Sequence, residues 1–165
     1  MVKNTVKESS SPTSSDSVDF PTEGAVDLNM EISTSNAATG AGSSDKSASR
    51  IIIESSDGKN SIEVGVQFAD HLAYINRRNS GWSNPVFGDV GVTSITIPDD
   101  NQKVKLRMIV DHSQIEVFIN DGIYYGSMVF FFEDGRVPAR IRYQNDEGVN
   151  TDYFKLDALK SIWEC

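Results

Sequence analysis

Apolar and polar positions alternate along most of this chain. Val26, Leu28, Met30 and Ile32 are separated by Asp27, Asn29 and Glu31. Ile62, Val64, Val66 and Phe68 alternate with Glu63, Gly65 and Gln67, and Ile95 and Ile97 flank Thr96. Val104, Leu106, Met108 and Val110 alternate with Lys105, Arg107 and Ile109. Ile115, Val117 and Ile119 alternate with Glu116 and Phe118. A period of two sends successive side chains to opposite faces of a strand, so each run predicts a strand with one apolar face. The apolar residues are mostly β-branched, which suits a pleated surface. Turn formers separate the runs: Asp57-Gly58, Asp99-Asp100-Asn101, Asp121-Gly122, Asp134-Gly135 and the stretch from Asn145 to Gly148. Only the segment from Lys155 to Trp163 fits a helical as well as a strand pattern. Roughly ten strands at about 8–12-residue spacing predict an all-β fold. Strands with one apolar and one polar face suit a two-sheet antiparallel β-sandwich, concanavalin-like in architecture.

Composition changes the picture at the front of the chain. Hydrophobic residues make up 38% of the 165 positions, against about 45–50% in globular domains on a count that includes Gly. Ser and Thr occupy 17 of the first 50 positions, which locates the deficit. Such a segment buries too little apolar surface to offset its ordering. Residues 1–23 are therefore expected to form a flexible Ser-rich linker or tail, and residues 24–165 the sandwich domain. Residues 35–48 are expected to form a mobile loop.

The net charge of −9 disfavours nucleic acid and anionic membrane as partners. No apolar run approaches the roughly 18 residues of a membrane helix. The first residues lack the apolar stretch of a signal peptide. Cys165 is the only cysteine, which leaves an intermolecular pairing or an inert terminal thiol.

The stretch from Leu106 to Gly122 resembles the C-terminal β-sandwich module of glycoside hydrolase family 32, the invertases, inulinases and other β-fructofuranosidases. Members carry Asp-x-Ser-x-(aliphatic)-Glu-(aliphatic)-Phe-(aliphatic)-Asn-x-Gly there. Asp111, Ser113, Glu116, Phe118, Asn120 and Gly122 fit that pattern. Tyr74 to Gly81 resembles an upstream segment ending in Arg-x-Ser-Gly, and Leu159 to Trp163 resembles the last strand of fungal members. The resemblance spans about residues 24–163. It implies a sandwich that follows a five-bladed catalytic β-propeller, props it, builds oligomer contacts and sometimes lines the entrance for longer fructans. It implies an extracellular or vacuolar parent enzyme. The six signature residues are expected to be structural. The family's nucleophile motif and its Arg-Asp-Pro motif do not occur here, and Glu164-Cys165 echoes the acid/base pair only at the chain end.

Candidate chemistry is sparse. A retaining glycosidase needs two carboxylates about 5–5.5 Å apart, and Asp111 with Glu116 lie five residues apart, on opposite strand faces. No catalytic residue is assigned. His71 and His112 lack a third ligand, so no metal and no cofactor is expected. Arg77 and Arg78 are candidates to dock carboxylates of another domain or chain, or else surface charges. Trp82, Tyr124 and Tyr125 are candidates to stack on sugar rings, or else packing residues. Tyr124 and Tyr125 are neighbours, so at most one points inward. Two functions follow. One is a non-catalytic accessory sandwich of a sucrose- or fructan-hydrolysing enzyme. The other is a free lectin-like sandwich with its own contact to fructan or sucrose. A homo-oligomer fits either.

Overall fold

Antiparallel pairing of the alternating segments produces two sheets. A computed structural model describes residues 2–10, 13, 15–21, 24–35, 47–81, 91–98 and 102–160. In chain order the strands are β1 (Val2–Ser9), β2 (Ser15–Asp19), β3 (Ala25–Thr34), β4 (Ala48–Ser55), β5 (Ser61–Gln67) and β6 (Leu72–Asn76). They continue with β7 (Val92–Thr96), β8 (Lys103–Val110), β9 (Gln114–Ile119), β10 (Tyr124–Val129), β11 (Pro138–Asn145) and β12 (Val149–Lys160). A short 3-10 turn, Glu133–Gly135, precedes β11. The first sheet runs β1-β12-β3-β8-β9-β10 and the second β2-β11-β4-β5-β6-β7. The pairings are antiparallel throughout.

Register lines up the apolar positions. In the first sheet Leu156, Leu28, Met108 and Val117 form one row across four strands. In the second, Tyr143, Ile51, Val64 and Ile75 do the same. All eight are buried between the sheets. Each large side chain so buried contributes about 1.5–3 kcal/mol relative to exposure. Tyr143 and Phe154 pack together with ring centroids 5.2 Å apart. The all-β sandwich predicted from the pattern is the fold.

The front of the chain corrects the expectation of a flexible linker over residues 1–23. Its described residues hold two strands, each at the edge of a sheet. β1 pairs with β12 and β2 with β11. Strand pairing is satisfied by backbone N–H and C=O groups, which a hydroxyl-rich segment has in full. A strand at a sheet edge has one neighbour and needs little apolar surface. Side chains add to the hold: Thr5 Oγ1 donates to Asp157 at 2.9 Å, Tyr153 OH donates to Glu8 at 2.9 Å, and Lys7 pairs with Asp16. Phe20 is buried, and Val18 packs against the core. The expected mobile loop at 35–48 lies mostly outside the described residues, and Ala48 already belongs to β4. The ambiguous end is strand through Lys160, because β1 and β3 pair with it from both sides.

Gly65 is required by its neighbour. Tyr74 stands opposite it on β6 and lays its ring across the glycine, so a Cβ at position 65 would lie 2.2 Å from the ring. The Tyr74 hydroxyl donates to Glu63 at 2.5 Å. Burial, with that carboxylate, pushes the phenol well above its usual range. A second local anchor is Asp57, in the turn between β4 and β5. It accepts from the Ser55 hydroxyl at 2.8 Å, the Lys59 amide at 3.2 Å and Arg136 Nε at 3.0 Å. The Ser55 bond first, then the Lys59 amide, hold its pKa down from 3.8 to about 2.

Gly65→Ala is expected to destabilise the domain by about 1–3 kcal/mol, the usual cost of overpacking, read as a lower urea midpoint. In a Tyr74→Ala background the same change should cost little, since the two residues share one contact. Equal costs in both backgrounds would refute the contact. Because the folded pKa of Asp57 is depressed, its contribution is present above about pH 4 and vanishes as pH falls through about 2. The stability gap between the wild type and Asp57→Asn should therefore close between pH 5 and pH 2. A gap that stays constant over that range contradicts the assignment.

Candidate functional site

The signature residues lie on β9 and in the turns that join it to β8 and β10. Asp111 lies in the β8–β9 turn, where its Oδ1 accepts the amides of Ser113 and Gln114, both at 2.7 Å. A carboxylate so placed shapes a turn by replacing a backbone acceptor. Asn120, Asp121 and Gly122 make the β9–β10 turn with φ of 52°, 60° and 86°. Gly adopts that left-handed region without a Cβ penalty. The Asn120 side-chain oxygen accepts the Lys105 amide at 3.1 Å, and the Asn120 backbone amide donates to the Lys105 carbonyl at 2.8 Å. It thereby ties the turn to β8. Asp111, Ser113, Asn120 and Gly122 thus lie in the turns. Glu116 and Phe118 point outward from β9.

The outward side of the first sheet is ordered in rows. One row reads Lys155, Asn29, Arg107, Phe118 and Tyr125 across β12, β3, β8, β9 and β10. Beside it lie Asp157, Asp27, Ile109 and Glu116. Asp27 is fully buried although it points outward. Arg107 covers it through two bonds, Nε to Oδ1 and Nη2 to Oδ2, each 2.8 Å. Asn29 Nδ2 donates to the same carboxylate at 3.1 Å. The Asp27 carboxylate raises the pKa of Arg107 further above its usual value. The guanidinium carbon lies 6.0 Å from the centre of the Phe118 ring. That ring meets Tyr125 at 5.2 Å between centroids, tilted by 47°. Tyr125 OH reaches Glu116 at 3.3 Å.

Other charges on this face are paired in the same way. Lys103 meets Glu31 at 2.7 Å and Lys105 meets Asp121 at 3.0 Å. Lys155 meets Asp157 at 3.3 Å. Asp27, Asn29, Glu31, Lys105, Arg107 and Phe118 line an open groove of about 550 Å³.

The remaining candidates lie elsewhere. Arg77 donates from Nη1 to the Val129 carbonyl at 2.8 Å and so braces the end of β10. Arg78 is exposed, with its amide bonded to Asn76 Oδ1 at 3.0 Å. Among the described residues, the guanidinium tied to a neighbouring strand is that of Arg77. Ser80 is buried, and Gly81 bridges to Phe132. Tyr124 packs against the core, while Tyr125 is 51% exposed. Trp82 and Glu164-Cys165 lie outside the described residues. His112 is exposed and His71 half-buried. Among the described residues no group of three or more His, Cys, Asp or Glu side chains is placed to hold a metal ion.

Sequence reasoning singled out Phe118 and Tyr125 but missed Asp27, Asn29, Lys105 and Arg107, which complete the same face. An outward charged position on an alternating strand reads as solvated. Only the register of β3 against β8 puts Asp27 and Arg107 side by side.

Comparison with known proteins places this geometry. The family model described as glycosyl hydrolases family 32 C terminal matches residues 1–158. An invertase of Schizosaccharomyces pombe is 32% identical over 167 residues, covering 97% of this chain and 27% of the invertase. The chain therefore spans about a quarter of that relative's length. A fructofuranosidase structure from Schwanniomyces occidentalis, complexed with fructose, superposes with a TM-score of 0.77 at 21% identity, covering 96% of this chain and 34% of that one. A galectin of Caenorhabditis elegans superposes with a TM-score of 0.61 at 14% identity, covering 90% of this chain and 94% of the galectin. At such identities the two structures are alike in fold.

Replacing Arg107 by Met strands the buried Asp27 carboxylate. The expected cost is about 3 kcal/mol, the low end for unpairing a buried charge, because solvent reaches one side of the guanidinium. Asp27→Leu combined with Arg107→Met removes both charges and should recover most of that loss. Chemical denaturation of the three proteins checks this. A single variant as stable as the wild type would contradict the pairing.

Proposed function

The chain belongs to the family of C-terminal domains of family 32 glycosyl hydrolases, and from that membership we propose that it works as the non-catalytic accessory sandwich of a β-fructofuranosidase-like enzyme. The observation that carries the reading is the disparity in length. The family model takes in nearly all of this chain, yet the chain spans 27% of the invertase. The rest of such an enzyme, a catalytic propeller in family 32, supplies the chemistry on sucrose or fructan. The parent enzyme is extracellular or vacuolar. No helix among the described residues is long and apolar enough to cross a membrane.

The side chains support an accessory role. Asp111 is taken up by turn amides, and Asp27 by Arg107. Retaining hydrolysis needs two carboxylates aimed at one bond from about 5–5.5 Å apart. Ile123 in the β9–β10 turn, Val129 at the end of the edge strand β10 and Phe131 just after it are exposed. Exposed apolar residues grouped along one edge suit contact with another module or chain. Docking to the propeller and contacts between copies both fit there.

The pure chain is expected to release no fructose from sucrose, inulin or levan. A chimera in which it replaces the matching segment of the Schizosaccharomyces pombe invertase should hydrolyse sucrose, whereas that invertase truncated without any sandwich should be inactive or aggregate. Fructose release by the pure chain, lost on changing one carboxylate, would overturn the reading. So would a truncated invertase as active and soluble as the chimera.

A further inference from the structure

We propose that the nook beside Gly81, where Asn60, Ser80 and Glu133 converge, binds a hard divalent cation of the calcium type. Three separate stretches of chain build it. Asn60 lies just before β5, Ser80 and Gly81 follow β6, and Glu133 lies in the crossover from β10 to β11. The site does not depend on the accessory role argued above.

Space comes first. Gly81 has φ of 91° and bridges to Phe132. The point that a Cβ on Gly81 would take lies 2.4 Å from Glu133 Cγ, 2.8 Å from Glu133 Cδ and 2.7 Å from Asn60 Nδ2. The missing Cβ therefore lets a carboxylate from one segment and an amide from another close on the same point. Ser80, next to that glycine, is fully buried.

Unmet bonding capacity decides the class of ligand. Asn60 is 3% exposed, and neither its Oδ1 nor Ser80 Oγ has a hydrogen-bond partner. Buried polar atoms left so are rare and costly. Both are oxygens, and the Glu133 carboxylate adds oxygens that only accept. A water has two hydrogens to give, fewer than the three groups that ask for one. A cation serves all three groups together. A half-turn of the Asn60 amide exchanges its nitrogen and oxygen, which brings Oδ1 to the carboxylate side. Amide, hydroxyl and carboxylate oxygens are the donors that calcium takes, and none of the three residues offers the sulfur or imidazole of a softer metal site. Such a site does not need three acidic side chains, so the lack of that grouping among the described residues leaves it open.

Charge sets the strength. Glu133 is the carboxylate at the nook, because Asp57 and Asp134 close by are both held by Arg136, each at 3.0 Å. Calcium affinity follows the number of charged ligands, which puts the Kd near the roughly 0.1–1 mM of extracellular modules. Calcium also accepts irregular geometry and completes its shell with water, whereas magnesium demands a near-octahedral one. A cation held there ties the crossover to the loops on either side of β5 and β6. It adds to the hold of Arg77 on the Val129 carbonyl and of Arg136 on Asp57.

The test is thermal unfolding of the full chain in calcium chloride at about 10 mM, tenfold above the weaker end of that range. Magnesium chloride at the same concentration and sodium chloride at equal ionic strength are the comparisons, and calorimetric titration gives the Kd. Calcium should raise Tm by about 3 °C or more, magnesium by less, and sodium not at all. Glu133→Gln should weaken calcium binding at least about tenfold, the loss of the one charged ligand. Glu133 is exposed, so the variant should melt like the wild type without calcium. Asp134→Asn, in the same turn, should bind calcium as the wild type does. No calcium-specific shift overturns the site and leaves water to serve Asn60 and Ser80. A shift that survives Glu133→Gln, or that Asp134→Asn removes equally, marks calcium gathered by the net charge of −9 and overturns it as well.

Discussion

Two sheets stay face to face only if each strand commits alternate side chains to the gap between them. That constraint governs this molecule from Val26 to Leu159. The rows Leu156–Leu28–Met108–Val117 and Tyr143–Ile51–Val64–Ile75 meet across the gap and exclude water. A slip of one residue in any strand would turn its apolar set to solvent, so register is strongly specified. The other half of the side chains is then forced outward. What the domain can recognise on its sheets is written in that half.

The outward half of the first sheet had to solve an electrostatic problem. Asp27 and Asp157 stand opposite each other on neighbouring strands, and both are buried. Two carboxylates so placed would repel unless each were paired. Arg107 and Asn29 serve the first, and Thr5 and Lys155 the second. Thr5 comes from β1, so this pairing also gives the edge strand a reason to stay in place. The fold of the front segment and the polarity of the face are thus one arrangement.

Much of the fold was legible in the sequence because period-two alternation is a local signal. The strands over residues 26–32, 104–110 and 115–119 needed nothing but spacing, and the Asn120-Asp121-Gly122 turn needed only the preference of Gly for positive φ. The β1 and β2 strands were not legible. Their strength lies in backbone bonds to β12 and β11, more than a hundred residues away, and a Ser-rich composition conceals it. The face around Arg107 was half legible. Phe118 stood out as an aromatic residue on a polar strand face, and Tyr125 as one of two neighbouring tyrosines. Asp27 and Arg107 are each ordinary outward charges, separated by 80 positions. Their meeting is a fact of register, which no single segment encodes.

The two outer faces are not equivalent, and the difference explains why a groove lies on one of them. On the second sheet Tyr74 lies flat over Gly65 and fills the space above β5. A hollow on that sheet lies at the β2–β11 edge, beside Ser15, Asp16 and Ser17, and the aromatic residue in its lining, Tyr143, is buried in the core. On the first sheet Phe118 and Tyr125 sit to one side, on β9 and β10, and lean on each other, while Tyr153 of β12 lines the groove from the other. The centre, over β3 and β8, is left to Asn29, Lys105 and the Asp27–Arg107 pair. Aromatic rings at the margins and charge-paired side chains between them make an open, polar groove. The same alternation that builds the core therefore yields a flat lid on one sheet and a groove on the other.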